Sequence, residues 1–310
     1  QPKQIVSMIG YAYDQKQLNG LVRRVLQSKD FTNHKALENQ EVIDEVKNFA
    51  FTNSSDNRFN QFCQQTFLDN VLRGGMPVSV QTKDGDVAFN VFNRKHGDPE
   101  RDYNYFVLAP THFSQGNGNY RDVNQNRRND VWFNRDVKDS SIIDLLNILQ
   151  ADGYNPLVIK VTSFCFDNVD ASKSEADSAE DFHKVMAVIE DCCKKDEHAK
   201  ILEAHHKKMF YPGELLEYIL RKGIVLKVSP QEFLNRVLKV CHKQVLVDHG
   251  EGFWTDHWTY NLDLVESYLT IYPEELRLLL LEKEVFSFYH NSHYVLPRKN
   301  RYLMTYKGIR

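Results

Sequence analysis

The chain has 310 residues, 42% of them hydrophobic and 26% charged, the balance of a soluble globular protein large enough for a substantial core. Lys and Arg total 39 against 42 Asp and Glu, a formal charge of -3, which argues against a general nucleic-acid binder or a protein of acidic membrane surfaces. No apolar run nears the roughly 18 residues of a membrane span. The five cysteines lack a CxxC spacing, so neither a disulfide framework nor a zinc site is expected. A cytoplasmic, reducing setting follows from the same cysteine usage. The chain opens on Gln1, and it is expected to be a piece of something longer.

In chain order, Ile5 to Ala12 is apolar and is expected as a strand or a short buried entry. Asp14 can cap a helix whose Leu18, Leu21, Val22, Val25 and Leu26 recur at helical spacing. Glu41 to Phe51 predicts a second helix, and Asp56 opens a third that ends at Gly74 and Gly75. The period then changes to two. Val78, Val80, Val87, Phe89 and Val91 alternate across Lys83-Asp84-Gly85-Asp86, a hairpin signal. Arg94 to Tyr105 is polar and crowded.

Thr111 to Asp136 is the most unusual stretch. Between Phe113 and Val131 its one aliphatic residue is Val123, while Asn, Gln and Arg recur and aromatic residues close both ends. It reads as a loop forming the polar floor of a cleft. A helix from Ser140 or Ser141 follows, then an extended run from Val158 to Phe166. Asp170 to Asp181 reads as an exposed loop or helix start. Helices are expected at 181–193, 198–210 and 212–222.

Ser229-Pro230-Gln231-Glu232 is a capping box with proline in the first turn, opening a helix with Phe233, Leu234, Val237, Leu238, Cys241 and Val245 on its buried face. A second polar and aromatic stretch runs from Glu251 to Asp263. Helices resume at 262–272 and from Pro273 to Phe288. The basic, aromatic run from Tyr289 receives no assignment. Many amphipathic helices, one β-hairpin and two unusual loops between helices suit paired helices packed in a ring, which would gather such loops at one mouth.

Aromatic rings beside Asn, Gln, Arg and Asp suit a sugar: the ring covers the apolar face of a pyranose and the polar groups take its hydroxyls. Trp254, Trp258 and Tyr260 in one stretch, with Tyr120, Trp132 and Phe133 in the other, fit this chemistry. Glycosidic cleavage needs a protonated carboxylic acid for the leaving oxygen, and a hydrolase needs a second carboxylate as base or nucleophile. Asp122, Asp130, Asp136, Glu251, Asp256 and Asp263 are the carboxylates available. Trp254, two residues before Asp256, is placed to cover that carboxyl and keep it protonated by excluding water. The plainer alternatives are core tryptophans, capping roles for Asp263 and Asp139, and exposed charges at Arg127 and Arg128. Gly116-x-Gly118 lacks the third glycine of a dinucleotide loop, and His205-His206 and His290 with His293 lack the partners of a metal site.

The run from Gly118 to Asn126, Gly-Asn-Tyr-Arg-Asp-Val-Asn-Gln-Asn, resembles the Gly-Phe-Arg-Asp-x-x-Gln-Asp pattern of cellobiose phosphorylase-like enzymes. Phe253-Trp254-Thr255-Asp256 resembles their Asp-Trp-Asn-Asp motif, and the likeness runs from about Asn57 to Asn300. Those enzymes belong to the six-hairpin glycosidase group. The resemblance implies a mainly α fold: an incomplete (α/α)6 barrel over residues 1–310 as one domain, with the β-hairpin inserted. It implies Asp256 as general acid. Tyr120, Arg121, Asp122, Gln125 and Asn126, with Trp254 and Trp258, would hold an oligosaccharide. It also implies inorganic phosphate as co-substrate, attacking with inversion, and no other cofactor. Further domains of the same parent chain are expected. Asn126 stands where the family often has Asp, Phe253 replaces the first Asp of the second motif, and His257 replaces its Gly. A catalytically silent carbohydrate-binding or structural fragment is the alternative.

Overall fold

A computed structural model describes residues 6–10, 12, 14–91, 111–166, 175–206, 209–249, 254–300, 302 and 304–309. The crowded segment Arg94 to Tyr105, the start of the acidic stretch at Asp170, Glu251 and Phe253 lie outside them, as do the side chains of His205 and His206. The protein is mainly helical with small sheets. Among the described residues no helix is long and apolar enough to cross a membrane. The chain divides into two compact units, residues 1–69 and 70–310.

In the first unit, Val6 to Gly10 is irregular and exposed, not a strand. Helix α1 (Gln15–Gln27) is capped by Asp14, whose carboxylate accepts from the Gln17 amide at 2.7 Å. Helix α2 (Phe31–Asn48) begins ten residues before the expected Glu41. Its polar first half is supported by side-chain pairs one turn apart, such as Lys35 with Glu38 at 2.5 Å. Phe49, after α2, packs on Phe67 of α3 (Asn57–Gly74) with ring centroids 6.1 Å apart. Helix α3 starts where Asp56 accepts from the Arg58 amide, and Gly75 ends it at φ +84°.

In the second unit the expected hairpin forms from β1 (Met76–Thr82) and β2 (Gly85–Val91), joined by Lys83-Asp84 with Gly85 at φ +105°. An antiparallel sheet of order β3-β4-β5 (Gly118–Asn119, Val158–Cys165, His242–Asp248) serves two cores. Phe164 of β4 belongs to the first, with Phe89 and residues of α6 (Glu175–Cys192), α7 (Asp196–His206), α8 (Pro212–Lys222) and α9 (Pro230–Leu238). Ile159 of β4 and Val247 of β5 belong to the second, with α4 (Tyr120–Phe133), α5 (Ser140–Asn147) and α10 (His257–Ile271).

Three expectations are corrected. Helix α9 has the predicted cap, Ser229 Oγ accepting from the Glu232 amide at 3.1 Å, but it stops at Leu238. Val245 therefore lies in β5, where β-branched residues suit the pleat. Glu232 does not reach back to close the capping box; its carboxylate accepts from Arg236 Nε at 2.7 Å. The segment after Pro273 is not one helix to Phe288 but a 3-10 turn (Pro273–Glu275) and a single π-helical turn (Leu278–Glu282). Of the leucines at 278–281 only Leu279 is buried, so little burial holds a longer helix there.

Candidate functional site

The polar stretch expected as a loop is a helix from Tyr120 onward. Asn119 Oδ1 accepts from the Arg121 amide at 3.0 Å, capping α4 at the point where β3 pairs with β4. The described part of the second stretch is a turn at Thr255 and Asp256 followed by α10.

The two stretches meet. Tyr120 donates its hydroxyl to Asn261 Oδ1 at 2.7 Å, and Asn124 Nδ2 donates to the same oxygen at 2.5 Å. One turn further along, Arg128 pairs with Asp263 at 3.1 Å. Early residues of α4 thus face early residues of α10 and later ones face later ones. The helices run parallel, and their N-termini lie side by side.

His257 sits at that junction. Its ring stacks on Tyr120 with centroids 4.9 Å apart, and its Nδ1 lies 2.7 Å from Asn155 Oδ1. The Asn155 amide nitrogen donates to the Trp254 carbonyl at 3.2 Å, so the oxygen faces His257 and takes the imidazole Nδ1–H. Burial pushes the His257 pKa down to about 4; Asp256 opposes that shift, Arg121 adds to it and Asp122 opposes it. The Trp254 ring lies 6.3 Å from the His257 ring at 18°, and Trp258 extends over Gly153, with Cζ2 3.6 Å from the place of a glycine Cβ.

Arg121 and Asp122 are half-buried neighbours, 3.3 Å apart. Gln125, four residues on, shares their exposed side of α4, with Arg128 in the next turn. Asp256 is exposed, and Trp254 and Trp258 are 43% and 44% exposed, so the tryptophans are not core. The cover over Asp256 expected from Trp254 is not present: Asp256 stands at the N-cap of α10 with its carboxylate outward.

Two expected sugar contacts are displaced. Tyr120 is fully buried, and its ring and hydroxyl serve His257 and Asn261. Asn126, one turn after Asp122, turns toward Gly74, which its side chain abuts, and its Nδ2 donates to the Asp122 carbonyl at 2.7 Å. Trp132 and Phe133 close the other end of α4, roughly 18 Å along its axis from Tyr120 at about 1.5 Å per residue. They do not join Trp254. Arg127, read as a possible exposed charge, is buried beside Asp130 at 3.2 Å and donates to the Gly74 carbonyl. Burial raises the Asp130 carboxyl to about 6 against the pull of Arg127.

Asn155, Asn261 and Asn124 escaped the sequence reading. Asn155 precedes Pro156 and reads as part of a helix stop, while Asn124 opens a run of seven consecutive polar residues that ends at Asp130. A helical wheel over 120–131 would have placed Asn124 with Tyr120 and Val131 on the buried face. Among the described residues no group of three or more His, Cys, Asp or Glu is placed to hold a metal ion. Compared with family models, curated proteins and solved structures, the chain matches none.

Proposed function

We propose that the chain carries the active region of an inverting carbohydrate-active enzyme that cleaves a β-glucosidic, cellobiose-like bond by phosphorolysis or hydrolysis. The reading rests on one observation: Tyr120 and Asn124 of the first stretch meet His257 and Asn261 of the second, far apart in the chain, beside two exposed tryptophans. Asp256 protonates the bridging oxygen as the glycosidic bond breaks. Arg121, Asp122 and Gln125 take hydroxyls of the sugar that leaves its bond, and Trp254 and Trp258 offer ring faces to the pyranose. In phosphorolysis an oxygen of inorganic phosphate attacks the anomeric carbon from the opposite side, so no protein base is required; in hydrolysis a carboxylate must activate water.

The parallel pairing of α4 and α10 supports an (α/α)6 barrel. In a ring of helical hairpins every second helix runs the same way, so neighbouring inner helices are parallel. Asp256→Asn should cut turnover of cello-oligosaccharides by about 10² to 10⁴. Unchanged turnover sinks the assignment of the acid, and dependence on phosphate separates phosphorolysis from hydrolysis.

The exposure of Asp256 favours a second reading, a catalytically silent sugar-binding fragment, since the residue that would serve as acid is open to water. Titration with cello- and laminari-oligosaccharides, alongside an assay for reducing sugar and sugar phosphate, separates the two. Binding without any product supports the silent fragment.

A further inference from the structure

The loop between α5 and β4 joins both halves of the site. The Leu157 carbonyl accepts from the Tyr120 amide at 2.9 Å, where α4 begins. Two residues earlier, Asn155 is 2% exposed and uses both ends of its amide. Nδ2 donates to the Trp254 carbonyl at 3.2 Å, and Oδ1 takes the His257 Nδ1–H at 2.7 Å. Trp254 lies two residues before Asp256, and His257 directly follows it. One buried amide therefore pins the backbone before Asp256 and the side chain after it.

The loop that supplies this amide is itself held. The Gln150 amide donates to the Tyr154 carbonyl at 3.0 Å, the Tyr154 amide to Asp152 Oδ1 at 3.0 Å, and the Leu157 amide to the Asp248 carbonyl at 3.0 Å. Pro156 restricts the backbone of Asn155 further. Asp256 itself has no side-chain bond to the helix it caps. The chain on both sides of Asp256 is thus held through its neighbours.

We propose that Asn155 is a positioning residue for Asp256: it clamps Trp254 and His257 together, holds His257 in the Nδ1–H form, and so fixes the backbone that carries Asp256. This rests on the reading of Asp256 as general acid. Proton transfer needs the acid within hydrogen-bond reach of the leaving oxygen, and a small displacement of such a group has a large kinetic effect.

Two variants separate the ends of the amide. Asn155→Asp keeps an oxygen for His257 Nδ1–H and loses the donor to the Trp254 carbonyl; Asn155→Ala loses both. On cello-oligosaccharides, kcat should fall about 10- to 100-fold in Asn155→Ala with KM within about twofold, and by an intermediate factor in Asn155→Asp. The ¹⁵N imidazole spectrum of His257, recorded in the 310-residue chain, should show Nδ1 protonated in the wild type and a mixture of tautomers in Asn155→Ala. Asn155→Asp should keep the Nδ1 proton and move the titration of His257 to higher pH, because a carboxylate then faces the ring. The positioning role is overturned if kcat of Asn155→Ala stays within twofold of an active wild type, or if the His257 spectrum of Asn155→Ala is unaltered. If the wild type cleaves no β-glucoside, the catalytic half of the proposal falls together with the assignment of Asp256. The spectra then decide the clamp alone.

Discussion

Replacing Asn261 by alanine tests the junction of α4 and α10 most directly. Its Oδ1 accepts from Tyr120 at 2.7 Å and from Asn124 at 2.5 Å, and both donors are 0% exposed. Removing the acceptor strands two buried donors, at about 1 to 3 kcal/mol each. Two features pull the sum down. The Tyr120 hydroxyl has the Leu145 carbonyl at 3.3 Å as a fallback, and Asn261 Nδ2, itself buried without a partner, disappears with the substitution. The expected loss is therefore about 3 kcal/mol, which lowers Tm on the order of 10 °C for a unit of this size. Urea unfolding followed by tryptophan fluorescence measures it. Adding Tyr120→Phe removes one stranded donor, so the double variant should be more stable than the sum of the singles by about 1 kcal/mol. A single variant costing under about 0.5 kcal/mol, or strict additivity of the pair, would refute the shared-acceptor account.

The depressed pKa of His257 makes stability depend on pH. The unfolded imidazole binds a proton near 6.5 and the folded one near 4, so stability is lost as pH falls through that window and is flat below it. The loss reaches about 3 kcal/mol at about 1.4 kcal/mol per pH unit, and the difference between wild type and His257→Gln across pH 7 to 4 isolates it. No difference in slope would contradict the buried, neutral ring. At Gly213, in the first turn of α8, an added Cβ would lie 2.0 Å from the His112 carbonyl oxygen and 2.7 Å from Thr111 Oγ1. Gly213→Ala should therefore cost about 3 kcal/mol in a thermal melt.

Much of the local structure was legible along the chain. The caps at Asp14, Asp56 and Ser229 act as read, because a cap depends on residues within one turn. The hairpin at Lys83-Asp84-Gly85 forms as read, because Gly85 alone there tolerates φ +105°. The nature of Thr111 to Asp136 was not legible. Its polarity suggested a loop, but the polar side chains of Asn124 and Arg127 point inward and find partners on other elements. Composition does not record which polar groups will be paired.

By itself the amino-acid sequence determined a mainly helical chain, the starts of α1, α3, α5, α8 and α9, and two segments rich in polar and aromatic residues. Propensity and capping act over a few neighbouring residues, so they can be read one segment at a time. Only the tertiary structure decided that Tyr120 stacks on His257, that Tyr120 is buried, and that Asn155 joins the two halves. Those relations come from packing α4 parallel to α10 over a shared core, which depends on residues more than a hundred positions apart and leaves no periodic mark in either segment.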